Sequence, residues 1–151
     1  MISKKTKYAL HALIYLAKEY NRGPVLISEL ARKEKMPQKF LESILLDLKN
    51  HGLLQSKRGK GGGYLLGKGP NTITLGQIMR MFDGPLAPVS CVSQSAYHRC
   101  HECKNEQHCP IRLVMKEVRG AMSKILDQTT LADMIEKSEH SLNKDMMAFH
   151  I

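Results

Sequence analysis

The chain has 151 residues, 42% of them apolar and only 5% aromatic, with four cysteines and no tryptophan. That supports one packed, mainly helical domain with an appended element and excludes wholesale disorder. The formal net charge of +9 sits at one end, since residues 1–68 hold 14 Lys and Arg against 5 Asp and Glu while residues 69–151 hold 9 of each; this favours a polyanionic partner, nucleic acid before an anionic membrane.

The opening MISKKTKYALHALIYLA has the basic start and apolar run of a signal peptide. His11, two tyrosines and Lys18 interrupt it, and no small-residue cleavage site follows. No apolar run approaches the roughly 20 residues that span a membrane. A cytoplasmic protein without membrane contact is expected, and in that reducing compartment cysteines bind metal or do redox chemistry rather than form disulfides.

Tyr8, Leu10, Leu13, Ile14, Leu16 and Ala17 recur at helical spacing, so residues 4–20 are expected to form an amphipathic helix. NRGP at 21–24 ends it. Ser28 can cap a short helix beginning at Glu29. Pro37 suits a first helical position, and from it a second helix is expected to reach about Asn50, with Phe40, Leu41, Ile44, Leu45 and Leu48 on its buried face. Gln38, Lys39, Glu42 and Ser43 lie near its start, off that face. Two short helices so connected match helix-turn-helix spacing.

LLQSK and GYLLG then read as strands joined by RGKGG, a hairpin whose glycines let Arg58 and Lys60 approach another surface. A helix-turn-helix followed by a basic hairpin is a winged helix. ITLGQIMRMFDG at 73–84 reads as one more short helix. The expected organisation is a winged helix-turn-helix DNA-binding domain over 1–84, a cysteine-rich loop over 85–109 and helices over 110–142. The fold class is mainly α with a small β-hairpin wing. Cys109-Pro110 marks a helix start, after which Ile111, Met115, Val118, Met122 and Ile125 alternate at spacings of four and three. That is a coiled-coil seam, so helix 110–127 is expected to make a homodimer. LADMIEKSEHSL at 131–142 reads as a last short helix.

All four cysteines fall in CVSQSAYHRCHECKNEQHC at 91–109, with His98, His101 and His108 between them. Thiolates bind soft or borderline metals, and four can complete a zinc site or an iron–sulfur cluster. A lone CxxC at 100–103 is a weak zinc signal without a second close pair. Cys109, next to a helix N-terminus, is placed to favour thiolate. The expected metal ligands are Cys91, Cys100, Cys103 and Cys109, with an iron–sulfur cluster ranked first, zinc second and metal-free redox thiols third. A thiol oxidoreductase or metal-dependent hydrolase would rest on the CxxC alone, and no βαβ pattern surrounds it; no enzyme is expected.

HALIYLA, ISELARKEKMPQKFLESILLDLKNHGLLQSKRGKGGGYLLGK, ITLGQIM and the cysteine loop leading into a long helix together resemble the IscR, NsrR and CymR family of bacterial winged-helix regulators, over roughly residues 1–130. The resemblance implies a homodimer bound to double-stranded operator DNA. Many members carry an iron–sulfur cluster, [2Fe–2S] or [4Fe–4S], on three loop cysteines and a further ligand, sensing iron–sulfur status, nitric oxide or redox conditions. Others lack a cluster.

Carried onto this chain, the resemblance implies that Gln38, Lys39, Glu42 and Ser43 contact the major groove. Glu42 would accept from cytosine N4, and Arg58 would reach the minor groove. Ser28 and Lys60 suit phosphate contacts. Cys91, Cys103 and Cys109 match the family's cluster cysteines. The family's histidine ligand does not carry over, because Arg112 stands three residues after Cys109, and no acidic residue precedes Glu19 to match its aspartate variant. Cys100 is the natural substitute, with His98, His101 and His108 in reserve.

Overall fold

Ser3 opens the first helix, its hydroxyl accepting the Thr6 N–H at 3.1 Å. In the computed structural model, which describes residues 2–149, α1 spans Lys4–Lys18 and buries Ala9, Leu10, Ala12, Leu13, Leu16 and Ala17 along one face. It stops short of the expected residue 20. Asn21 turns the chain into the left-handed region at φ 67°, which asparagine tolerates better than most residues.

Helix α2 spans Ile27–Lys33 and α3 spans Gln38–Asn50. The expected Ser28 cap before Glu29 is overturned: α2 begins at Ile27, with Leu26 at the cap position and no side-chain capping bond. The reason lies one residue earlier. Val25 exchanges both backbone hydrogen bonds with Tyr64, each 2.8 Å, which ends the extended segment and releases the chain into a helix. Pro37 is the cap residue of α3, not its first turn. In the connection, Met36 is buried and its N–H returns to the Ala31 carbonyl at 2.9 Å.

Strands β1 (Leu54–Lys57) and β2 (Gly63–Leu66) form an antiparallel hairpin, Leu54 facing Leu66 and Lys57 facing Gly63. Val25 lies along the other edge of β2. Gly63 is required there, because a Cβ would run into the Val25 carbonyl.

Helix α4 (Leu75–Asp83) is capped by Thr74, whose hydroxyl accepts the Gln77 N–H at 3.2 Å. After the cysteine loop, with its single short helical turn at Ser90–Val92, come α5 (Pro110–Gln128) and α6 (Leu131–Phe149). The last helix is longer than the expected 131–142. Nothing between Asn143 and Phe149 is glycine or proline, so nothing breaks it. Its start is held by a reciprocal capping box: Thr130 N–H donates to Asp133 at 2.9 Å and Asp133 N–H to the Thr130 hydroxyl at 3.1 Å.

Leu13, Leu16, Leu30, Leu41, Ile44, Leu45, Leu48, Leu53, Ile73 and Ile78 are buried in one core, and Leu131 of α6 completes it. Helix α5 is different, for none of its residues is buried. The five residues of the expected seam differ in exposure. Met115 and Met122 are half-buried, whereas Ile111, Val114, Val118 and Ile125 are exposed by 67%, 54%, 38% and 64%. The most open apolar stripe, Ile111, Val114, Val118 and Ile125, has spacings of three, four and seven, with Met115 and Met122 along its flank. No helix among the described residues is long and apolar enough to cross a membrane.

Candidate functional site

The surface made by α2, α3 and the hairpin is exposed at every residue the sequence singled out for DNA: Ser28, Gln38, Lys39, Glu42, Ser43, Arg58 and Lys60. The buried stripe of α3, Leu41, Ile44, Leu45 and Leu48, turns the opposite side outward. Gln38 donates to Glu42 across one turn at 3.4 Å, and the Ser43 hydroxyl donates to the Phe40 carbonyl at 3.1 Å. Both bonds are local and leave the groups at the surface. Ser28 lies within the first turn of α2, where free N–H groups favour an anion. In the hairpin tip, Gly59 and Gly61 take φ of 85° and 76°, which bends the loop so that Arg58 and Lys60 stand out from it.

The cysteines form a second site. Cys91 lies in the short turn after Val89, Cys100 and Cys103 flank a turn closed by the Cys103 N–H on the Cys100 carbonyl at 3.3 Å, and Cys109 is the cap residue of α5. All four line one cleft of about 980 Å³, together with His98, His101 and Arg112. His108 is not on its wall; its N–H is held by Asn105 at 3.3 Å. None of the four cysteines is buried or disulfide-bonded.

Two arginines of α5 fasten the backbone at Cys91, on the cleft wall, and at Val92 next to it. Arg112 Nε donates to the Cys91 carbonyl at 3.3 Å, and Arg119 Nη1 donates to the Val92 carbonyl at 2.8 Å. Arg112 also pairs with Glu106 at 3.7 Å, which accepts a hydrogen bond from Tyr97. Sequence reasoning noted Arg112 only as the residue standing where a histidine ligand was sought. At the far end of α5, Asp127 accepts from Arg80 of α4 in a bidentate pair of 2.5 and 2.8 Å. Gly76 leaves the room for it, since a Cβ there would collide with the Asp127 carboxylate.

The thiols differ in electrostatics. The Arg112 and Ile111 N–H groups face Cys109 too loosely for a capping bond, yet with the Cys103 thiol they hold it below the ordinary cysteine value. Desolvation, then the hydrogen bond to Cys109 and its charge, pushes Cys103 upward. Four thiols and two imidazoles on one wall are a donor set suited to an iron–sulfur cluster or zinc. Among the described residues no three His, Cys, Asp or Glu side chains are arranged to hold one ion. The donor types fit such a group, while their arrangement here does not bring three of them onto one ion.

A family model described as Rrf2, an iron-dependent transcriptional regulator, matches residues 2–137. The chain belongs to the Rrf2 family of transcriptional regulators. Among its relatives, an rrf2-like HTH-type transcriptional regulator of Rhodobacter capsulatus is 44% identical over 138 residues, 89% of this chain and 92% of the relative. The solved structure of CymR, the global cysteine regulator of B. subtilis, is 33% identical with a TM-score of 0.76, covering 91% of this chain and 97% of that one. The T. potens IscR structure is 28% identical with a TM-score of 0.72, covering 93% and 90%. The Rrf2 fold is thus the winged helix described above, and the family is one of regulators, not enzymes.

Proposed function

We propose that this Rrf2 regulator is a cytoplasmic homodimer that grips operator DNA through α3 and the wing and senses redox, nitric oxide or iron–sulfur status through a cluster on its cysteine loop. One observation carries the sensing part: four thiols line one cleft, and the backbone at Cys91 and Val92 beside it is tied to α5 by Arg112 and Arg119.

Cys91, Cys100, Cys103 and Cys109 would hold a [2Fe–2S] or [4Fe–4S] cluster, which supplies electron exchange and reactivity toward nitric oxide when bound. The chain's own residues do the rest. Cys109 at the start of α5 is disposed to be thiolate, the form that ligates. Arg112 and Arg119 make any movement of the Cys91–Val92 backbone a movement against α5. Asp127 and Arg80 join α5 to α4, which packs on α1. The exposed stripe of Ile111, Val114, Val118 and Ile125 suits pairing with the same stripe of a second copy. Two winged domains must present α3 about 34 Å apart to enter successive turns of one groove face, so a small rotation at the dimer seam changes affinity.

On the DNA, Gln38, Lys39, Glu42 and Ser43 would face base edges, Glu42 accepting from cytosine N4. Arg58 would enter the minor groove, and Ser28 and Lys60 would hold phosphates. A second reading keeps the regulator but replaces the cluster by redox-active thiols, with zinc as a structural variant. It is favoured by the four free thiols lining one cleft, among which Cys109 is held below and Cys103 pushed above the ordinary cysteine value.

The test compares protein purified without oxygen, the same protein stripped of metal, and air-oxidised protein on one duplex pool at one salt concentration. The cluster reading expects the first two to differ in affinity or sequence preference. A difference appearing only on oxidation, reversed by a dithiol reductant, selects the thiol reading. Identical binding by all three removes the sensing claim.

A further inference from the structure

Helix α3 has one residue that neither the core nor the polar reading face explains. Leu46 is 50% exposed and belongs neither to the core nor to the partly buried side chains packed on it. The half-buried Phe40 is accounted for by Tyr8, with ring centroids 5.4 Å apart at 72°. Leu46 is two residues beyond the buried Ile44, about 200° around the helix, which puts it on the outward side. Its neighbours one turn away, Glu42, Ser43, Lys49 and Asn50, are all polar and exposed. A lone leucine in a polar surface is too small to dock a protein face.

We infer that Leu46 is a sequence-reading residue that packs against the C5-methyl group of a thymine in the major groove. The inference rests on the reading of α3 as the groove helix. Among the base edges in that groove, the thymine methyl is the apolar feature, and the rest are hydrogen-bond donors and acceptors. A single apolar side chain set among polar ones is its complement. The excess positive charge of residues 1–68 supplies the long-range attraction that brings this face to a duplex. Leu46 is four residues past Glu42, about 6 Å along the axis, the rise of about two base pairs. The thymine is therefore placed within about two base pairs of the pair that Glu42 reads.

The test selects duplexes from a randomised pool with the wild-type protein and with Leu46→Ser, at one salt concentration. The wild type is expected to fix one thymine in each half-site, within about two pairs of the position that Glu42→Gln relaxes. Leu46→Ser is expected to relax that thymine alone. Replacing it by deoxyuridine removes only the methyl, and is expected to weaken wild-type binding about four-fold per half-site while leaving Leu46→Ser unaffected. Equal preferences in the two pools, or wild-type indifference to deoxyuridine, overturn the inference. The deoxyuridine measurement stands even if the variant binds nothing. A wild-type pool with no preferred sequence overturns the groove reading of α3, and this inference with it.

Discussion

Helices α3 and α5 both carry an apolar stripe, and the chain treats them in opposite ways. Helix α3 buries Leu41, Ile44, Leu45 and Leu48 against α1, α2 and β1, whereas α5 buries nothing and leaves Ile111, Val114, Val118 and Ile125 open. Amphipathicity therefore states that a face needs a partner without saying whether the same chain supplies it. The hairpin tip and the cysteine loop divide likewise. The tip spans five residues between paired strands, while the loop leans on two arginines and places its sulfurs around an open cleft.

The largest expected effect lies on the closed side of this comparison. Leu45→Ala removes a fully buried side chain and is expected to cost about 2–5 kcal/mol in urea unfolding. Val118→Asp on α5 should instead leave the fold of the protomer intact and weaken the proposed dimer by about 2 kcal/mol or more, because it would set a carboxylate in the proposed seam. Sedimentation at low concentration reads this as a shift to monomer. A dimer of unchanged stability would place the interface elsewhere.

At the wing, Arg58→Ala is expected to lower DNA affinity about ten-fold, most on A·T-rich flanks, while Lys60→Ala reduces the salt slope by about one. Fluorescence anisotropy across a salt series separates the two. The smallest effect belongs to the Arg80–Asp127 pair. Both partners are 43% exposed, so Asp127→Asn should cost less than about 1 kcal/mol. The hydrogen bond from Arg80 holds the Asp127 carboxyl below its ordinary value. Its contribution is thus present above the usual carboxylate range and lost as pH falls through the lowered value. A stability difference between the wild type and Asp127→Asn that does not shrink as pH falls below the usual carboxylate range would contradict this.

The winged half was legible because its signals are local: Leu41, Ile44, Leu45 and Leu48 at helical spacing, and strand runs around RGKGG. The start of α2 is misjudged from sequence because Ser28 is a good cap in isolation, and only the pairing of Val25 with Tyr64, 39 positions apart in the chain, moves the start to Ile27. The start of α6 is read correctly at Leu131 and the Thr130–Asp133 capping box supports it; only its end, which no glycine or proline marks, is placed too early. The stripe of α5 is legible as a run of apolar residues at spacings of three and four, but how open each of them stands depends on packing against α4 and the cysteine loop, which leaves Met115 half-buried and Val114 exposed. The clamp itself had no sequence signal, since an arginine reaching a carbonyl 21 or 27 residues away follows from the tertiary fold. Leu46 is silent in the sequence, because one leucine off the stripe of a leucine-rich helix looks incidental until its exposure is known.

The central claim is that the loop thiols hold an inorganic cofactor. Iron, zinc and acid-labile sulfide, measured per chain in protein purified without oxygen, test it most directly. The account predicts iron and sulfide in comparable amounts in the wild type, and their loss in Cys103→Ser and Cys109→Ser. Wild-type protein holding neither iron nor zinc would contradict it.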